Sequence, residues 1–280
     1  LALTWLITGV NGGFGREMAE QLLARGDRVA GTVRRPGTVA DLATRHGSRF
    51  WSTVLDLTDA PAIGPVVDRA FAELGRIDVV VNNAGYGQFG AAEALTEAQV
   101  RQQIDTNLLG PILLTRAALP HLRAQDGGRL LAMSSYGGQA THPGASLYHA
   151  SKWGLEGFFD SLAAEVAPFG IGVTIVEPGS ARTGFRAAAG AQLPVDAAAY
   201  AGTPMGTLRD RLSDPAFVAP GDPARMARAI IDSVAQDPAP RRLVLGSDAY
   251  AMLEAALVER LAQVQAQKNS AAVTDVPAGG

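Results

Sequence analysis

The chain has 280 residues, 47% of them hydrophobic, which is enough apolar material to bury one substantial core and argues against disorder. Basic and acidic residues nearly balance, 24 against 27 for a net charge of -3, so the basic stripe of an electrostatic nucleic-acid binder is excluded. The absence of cysteine excludes a disulfide scaffold, a thiol nucleophile and Cys-ligated zinc or iron-sulfur chemistry.

The first ten residues are apolar, lack a basic flank or cleavage site, and run straight into a glycine motif, so they read as a core strand. Six more short apolar runs, at 28–33, 50–55, 77–81, 129–133, 172–176 and 242–245, read as strands after the first at 3–8. Between and after them, periodicity and capping residues predict helices at about 13–25, 37–46, 59–74, 96–124, 146–167, 222–236 and 248–264. Strand and helix alternating throughout, with several strands lacking polar alternation, predict an α/β fold. Its form is a doubly wound, mostly parallel sheet of about seven strands with helices on both faces, Rossmann-like. A TIM barrel alternates in the same way, but a glycine motif in the first strand-to-helix turn favours the open sheet.

No internal repeat or linker divides the chain, so 1–280 reads as one domain. Residues 180–220 break the alternation: they are rich in Ala, Gly and Pro, show no strand signal, and carry Phe185, Leu193, Tyr200, Met205, Leu208 and Phe217. A stretch of this length with dispersed apolar side chains reads as an insertion covering a substrate site, bounded at 180–221. Residues 265–280 read as a C-terminal arm, loose or docked on another subunit. The apolar runs fall short of a membrane span, no membrane partner is expected, and the expected compartment is the cytoplasm.

The turn Thr8-Gly9-Val10-Asn11-Gly12-Gly13-Phe14-Gly15 follows a strand and opens a helix. Glycines there allow a tight turn and let backbone amides at a helix N-terminus approach a pyrophosphate, although such turns are also often structural. No G-K-[ST] follows, which argues against an NTPase. The second strand ends in Val33-Arg34-Arg35, where an acidic residue would hold the ribose hydroxyls of NAD. Arginine can instead pair with the 2'-phosphate of NADP, and Arg34 is favoured as the first residue after the strand; two solvated surface arginines are the plainer reading. Asp56-Leu57-Thr58 and Asn82-Asn83-Ala84-Gly85 end the third and fourth strands on the same rim, though Asp56 could simply cap a helix and the second motif could be a turn.

Tyr148 and Lys152 stand at i and i+4 on one helical face. The chain has only two lysines, Lys152 and Lys268, with arginine at the other basic positions, so an accidental Tyr-x-x-x-Lys pairing is improbable. A cation beside a phenol lowers its pKa and makes it a usable acid/base. Ser134-Ser135 closes the fifth strand, where a hydroxyl could hydrogen-bond a substrate carbonyl.

Thr8-Gly9-x-x-x-Gly13-x-Gly15, Asn82-Asn83-Ala84-Gly85, Asn107, Ser135, Tyr148-x-x-x-Lys152 and Pro178-Gly179 resemble, in order and spacing, the short-chain dehydrogenase/reductase family of NAD(P)-dependent oxidoreductases. The resemblance spans residues 3 to about 183 and resumes weakly near 222–246. It implies that Tyr148 is the general acid or base, that Ser135 rather than Ser134 polarises the carbonyl, that Lys152 holds nicotinamide ribose hydroxyls, and that Asn107 holds a water linking Lys152 to solvent. It implies a cofactor surface of Gly9, Asn11, Gly13, Phe14, Gly15, Arg34, Asp56, Leu57, Asn83, Ala84, Gly85, Tyr148, Lys152, Pro178, Gly179 and Thr183, with no metal. Gly12 stands where some NADP-preferring members carry a basic residue, so recognition of the 2'-phosphate would rest mainly on Arg34, with NADP(H) preferred over NAD(H). Gly85-Tyr86-Gly87 and the insertion resemble the branch related to retinol and 17-beta-hydroxysteroid dehydrogenases, implying a bulky apolar carbonyl or alcohol substrate. The long helices imply a homodimer or homotetramer. A cofactor-binding sensor or scaffold without turnover is the alternative, disfavoured because Asn107, Ser135, Tyr148 and Lys152 are all present.

Overall fold

The computed structural model describes residues 2–194, 198–207, 210, 212, 214 and 216–276. Its strands are β1 (Thr4–Thr8), β2 (Arg28–Val33), β3 (Phe50–Val54), β4 (Val79–Asn82), β5 (Gly128–Met133), β6 (Ile171–Pro178) and β7 (Arg242–Leu245). Every pairing is parallel and the order is β3-β2-β1-β4-β5-β6-β7. The chain therefore winds outward from β1 in one direction as far as β3 and in the other as far as β7. The crossovers leave a crevice between β1 and β4 at the carboxyl edge, where ligands bind in open sheets of this kind.

The helices are α1 (Gly13–Ala24), α2 (Ala40–His46), α3 (Ala60–Leu74), α4 (Glu97–Ile104), α5 (Gly110–Ala124), α6 (Ser146–Val166), α7 (Phe185–Gly190), α8 (Pro223–Ser233), α9 (Ser247–Ala266) and α10 (Lys268–Ala272). The period-2 geometry of a strand divides the core in two. Trp5 and Ile7 of β1 join Met18, Leu22, Leu42 and Ile230 on the α1, α2 and α8 face, whereas Leu6 joins Ile63, Leu114 and Phe159 on the α3, α5 and α6 face. With both faces covered, β1 is buried at all five positions, which is why its sequence shows no polar alternation.

Three departures from the sequence reading bear on function. The expected helix 96–124 is broken: α4 and α5 flank a π turn, Asp105–Leu109, that carries Asn107 into the interior. Hydrophobic periodicity does not register one inserted residue of winding, and such turns are frequent at functional sites. The 180–220 segment, for which the sequence predicts no helix, contains α7, and its base is closed by a parallel bridge between Ala181 and Gly221. The C-terminal helix extends to Ala266 and α10 follows, so the arm begins as helix; Leu208 and residues 277–280 lie outside the described residues. No helix among the described residues is long and apolar enough to cross a membrane.

Candidate active site

A cleft of about 970 Å³ runs along the carboxyl edge of the sheet, from the Gly9–Phe14 turn and Arg34 at one end to Tyr148 and the 180–221 segment at the other. It is lined by all the expected site residues except Gly15 and Asn107, which contact lining residues instead, Gly15 at Gly9 and Asn83 and Asn107 at Gly85. Both still act on it. A Cβ on Gly15 would stand 2.3 Å from the Gly9 carbonyl oxygen and 2.5 Å from Asn83 Nδ2, so only glycine permits this helix start to press against the Asn83 loop. We expect Gly15→Ala to lose about 1–3 kcal/mol, read as a drop in melting temperature. Gly12→Ala, whose Cβ would meet nothing within 4 Å, is expected to melt close to wild type.

The two loops at the crevice are tied together by side chains. Thr8 Oγ1 accepts hydrogen bonds from the amides of Asn83 and Ala84, both at 2.9 Å, and Asn83 Nδ2 donates to the Thr8 and Gly9 carbonyls at 2.7 and 3.2 Å. Asn82 instead points to Thr115 in the core. Thr8 thus has a positioning task that the sequence reading left unassigned, although it stood inside the glycine motif. Across the cleft Thr183 faces the glycine turn, its Cβ 3.8 Å from where a Cβ on Gly13 would be. Pro178 ends β6, and the next amides are fixed by Gly179 N–H to the Leu245 carbonyl and Ser180 N–H to Asp248 Oδ2, at 2.8 and 2.7 Å. Asp56 Oδ1 accepts from the amide and hydroxyl of Thr58, so it shapes the turn after β3 as well as lining the cleft.

These features fit a dinucleotide. The N-terminus of α1 opens on the cleft with no side chain capping its free amides, a ready site for a pyrophosphate. Beyond β2, Arg34 and Arg35 both line the cleft, both are exposed, and neither forms a salt bridge among the described residues. Tyr86 supplies a further polar group missed by the motif reading: its hydroxyl is buried without a hydrogen-bond partner among the described residues, on the cleft wall and within the field of Arg34.

At the other end, Ser135, Tyr148 and Lys152 are brought together and buried. Ser135 Oγ accepts from the Gly137 amide at 3.1 Å, which leaves its own hydrogen to donate. Ser134 is otherwise engaged, donating to Glu156 Oε1 at 2.6 Å. Lys152 Nζ donates to the Met133 carbonyl at 2.6 Å and lies 5.9 Å from the Tyr148 ring centroid. The expectation that this cation lowers the Tyr148 pKa is not met. Burial dominates and holds the phenol well above its ordinary value, opposed by its hydrogen bond with Ser135, while burial also brings Lys152 down to about 8. Asn107 Oδ1 accepts from the Tyr86 amide and its Nδ2 donates to the Tyr86 carbonyl, at 3.1 and 2.8 Å, so both ends of its amide are committed to the backbone beside the cleft.

Around Tyr148 the walls are apolar. Phe89 and Phe185 lie 5.4 and 5.8 Å from its ring, and Leu193, Met205 and Leu212 of the 180–221 segment pack on the same cluster. Phe217 continues the wall under the guanidinium of Arg186 at 3.9 Å. Beside them Tyr136 and His142 contribute a polar edge, hydroxyl to Nε2 at 3.2 Å.

The short chain dehydrogenase family model matches residues 4–194. The chain belongs to the short-chain dehydrogenase/reductase family. As a short-chain dehydrogenase/reductase it is 36% identical over 246 residues to oxidoreductase BOA17 of Botryotinia fuckeliana, covering 88% of this chain and 89% of that one. It is also 38% identical over 180 residues to a 3-ketodihydrosphingosine reductase of Bacteroides thetaiotaomicron, covering 64% of each. Among solved structures, a short-chain dehydrogenase from Streptomyces avermitilis superposes with a TM-score of 0.88 at 39% identity, covering 98% of both chains. A metagenomic short-chain oxidoreductase in complex with NADP superposes at 0.68 and 26% identity, covering 88% of this chain and 97% of that one. The protein is an oxidoreductase of this family, whose chemistry depends on a nicotinamide cofactor.

Proposed function

We propose that the protein is an NADP(H)-dependent oxidoreductase acting on the carbonyl/secondary-alcohol pair of a bulky, largely apolar substrate. The observation that carries this reading is the buried Ser135–Tyr148–Lys152 group at the apolar end of a cleft whose other end presents Arg34 and an uncapped helix N-terminus. Gly9, Asn11, Gly13 and Phe14 would border the pyrophosphate and Arg34 the 2'-phosphate. Asp56 and Leu57 would flank the adenine, Asn83, Ala84 and Gly85 the ribose, and Pro178, Gly179 and Thr183 the nicotinamide end. The cofactor, when bound, supplies or accepts the hydride.

The chain's own residues handle the proton. Ser135 donates to the carbonyl oxygen, and Tyr148 delivers its phenolic proton to that oxygen as negative charge develops on it. A phenol kept above its ordinary pKa is protonated at neutral pH, the state a proton donor needs. Lys152 steadies the resulting phenolate from the next helical turn. The Asn107 side chain fixes the Tyr86 backbone, and a water held beside Asn107 would link Lys152 to solvent.

We read residues 180–221 as the cover over the substrate end of a single domain 1–280, residues 265–280 as its C-terminal arm, the assembly as a homodimer or homotetramer, and the location as cytoplasmic. The exposed Val100 and Trp153 on α4 and α6 suit a subunit contact. The deciding experiment is a panel of apolar ketones and alcohols followed by NADPH absorbance, with Tyr148→Phe protein as the blank; absence of turnover across the panel would favour a cofactor-binding role. For the cofactor, Arg34→Asp is expected to shift the ratio of NADP(H) to NAD(H) affinities about 10–100-fold towards NAD(H). Fluorescence titration measures both affinities, and an unmoved ratio would remove Arg34 as the phosphate ligand.

A further inference from the structure

Directly behind the Ser135–Tyr148–Lys152 group lies a second cluster of charge. Glu156, one turn beyond Lys152 on α6, is buried, and its Oε1 accepts the Ser134 hydroxyl at 2.6 Å. Its Oε2 takes the Arg242 guanidinium of β7, which also binds Glu177 Oε1 of β6 at 2.7 Å and Asp160 of α6. Gln139 completes the set by donating to Glu177. Space for it is reserved: a Cβ on Gly138 would fall 1.8 Å from Glu156 Oε1 and 2.6 Å from Ser134 Oγ.

One arginine therefore serves three carboxylates, and Lys152 stands one turn from Glu156 on α6. The two residues grip consecutive residues of the β5 end, Lys152 through the Met133 carbonyl and Glu156 through the Ser134 hydroxyl, immediately before Ser135. We propose that Glu156 is a positioning residue for the Tyr148–Lys152 pair, fixing the carboxyl end of β5 through Ser134 and keeping Lys152 cationic from one helical turn away.

The electrostatics agree in sign. Burial pushes the Glu156 carboxyl up, with Glu177 adding to the rise and Ser134 and Arg242 opposing it. Burial brings Lys152 down to about 8, and Glu156 is the neighbour that opposes the fall. The groups facing Lys152 besides Glu156 are Tyr148, the Met133 carbonyl and the Gly85–Asn107 contact, none of them a carboxylate. An ionised Glu156 favours the protonated form of Lys152 and so opposes its deprotonation. Removing that charge should let Lys152 lose its proton at lower pH.

This role rests on the reading of Lys152 as the partner of Tyr148, but it can be tested without turnover, because the chain has just two lysines. Protein carrying lysine labelled with 13C at the ε carbon gives two side-chain resonances, with the exposed Lys268 as internal reference. In Glu156→Gln, which keeps an acceptor for Ser134, the Lys152 midpoint is expected to fall by about one pH unit. Ser134→Ala, which keeps the carboxyl but removes one of the bonds that hold its pKa down, should move the midpoint less than Glu156→Gln does. An unmoved Lys152 midpoint in Glu156→Gln, or an equal fall in Ser134→Ala, would overturn the proposal. Should Glu156→Gln fail to fold, Glu156→Met removes the same charge with a side chain of similar length; the same downward movement is expected, and none would again overturn it. Undiminished activity in Tyr148→Phe would instead strike at the proposed chemistry, leaving the Lys152 titration as it is.

Discussion

Tyr148→Phe is expected to lower turnover about 10²–10⁴-fold, the usual worth of a positioned proton donor, while NADPH affinity stays near that of the unaltered protein. The ring packs against Phe89 and Phe185, which also touch each other, and it loses only its hydroxyl, so the walls remain as they are. Ser135 loses its partner on the Tyr148 side but keeps the bond from the Gly137 amide that orients it. The measurement is single-turnover oxidation of NADPH beside a fluorescence titration of the same cofactor. Turnover equal to that of the unaltered protein would end the assignment of Tyr148 as proton donor. A joint loss of affinity and turnover would show that the substitution had disturbed the cleft and not only the chemistry.

Asn107→Ala is expected to have the largest effect on stability and to reduce activity with it. The side chain is nearly inaccessible to solvent and satisfies both the amide and the carbonyl of Tyr86. Alanine cannot replace either bond, and the loss of a buried partner costs about 1–3 kcal/mol for each group stranded. Tyr86 also receives a bond from Gln103, so its carbonyl keeps one donor and its amide is left without an acceptor. The expected total is about 2–4 kcal/mol, read from urea unfolding, with a weaker hold on cofactor because Gly85 rests on the same amide. Asn107→Asp, which retains the acceptor for the Tyr86 amide, should recover part of the stability. Full stability in Asn107→Ala would mean that the π turn is held by its backbone alone.

Most of the fold was legible because its signals are local and repeated. Each of the seven strands follows from a short apolar run, and six of the seven predicted helices emerge within a few residues of their expected ends. The π turn stayed hidden because the apolar positions of α4 and α5 continue in phase closely enough to read as one helix. Around the site, Gly9, Gly13, Tyr148 and Lys152 stand out in the sequence because their chemistry depends on spacing. Phe89, Tyr136, His142 and Phe217 do not, because their place on the cleft comes from tertiary packing with no fixed interval between them. The sign of the Tyr148 shift was misread for a related reason. Spacing places Lys152 beside the phenol, but only the packed structure shows how completely both are withdrawn from water.

The bridge between Ala181 and Gly221 brings the two ends of a forty-residue excursion to one point beside β6, reinforced by Arg182 Nε on the Ala219 carbonyl at 2.9 Å. With both ends held there, the entropy of closing the loop between them grows only slowly with its length. Its length can therefore change at modest cost, whereas exchanging Phe185, Leu193, Met205 or Leu212 reshapes the wall around Tyr148 while Ser135 and Lys152 keep their own ties to β5 and α6. Such an arrangement gathers substrate range into one excursion that leaves and rejoins the sheet at a single point, and it marks the part beyond Thr183 as the natural cassette for grafting a new preference onto this scaffold.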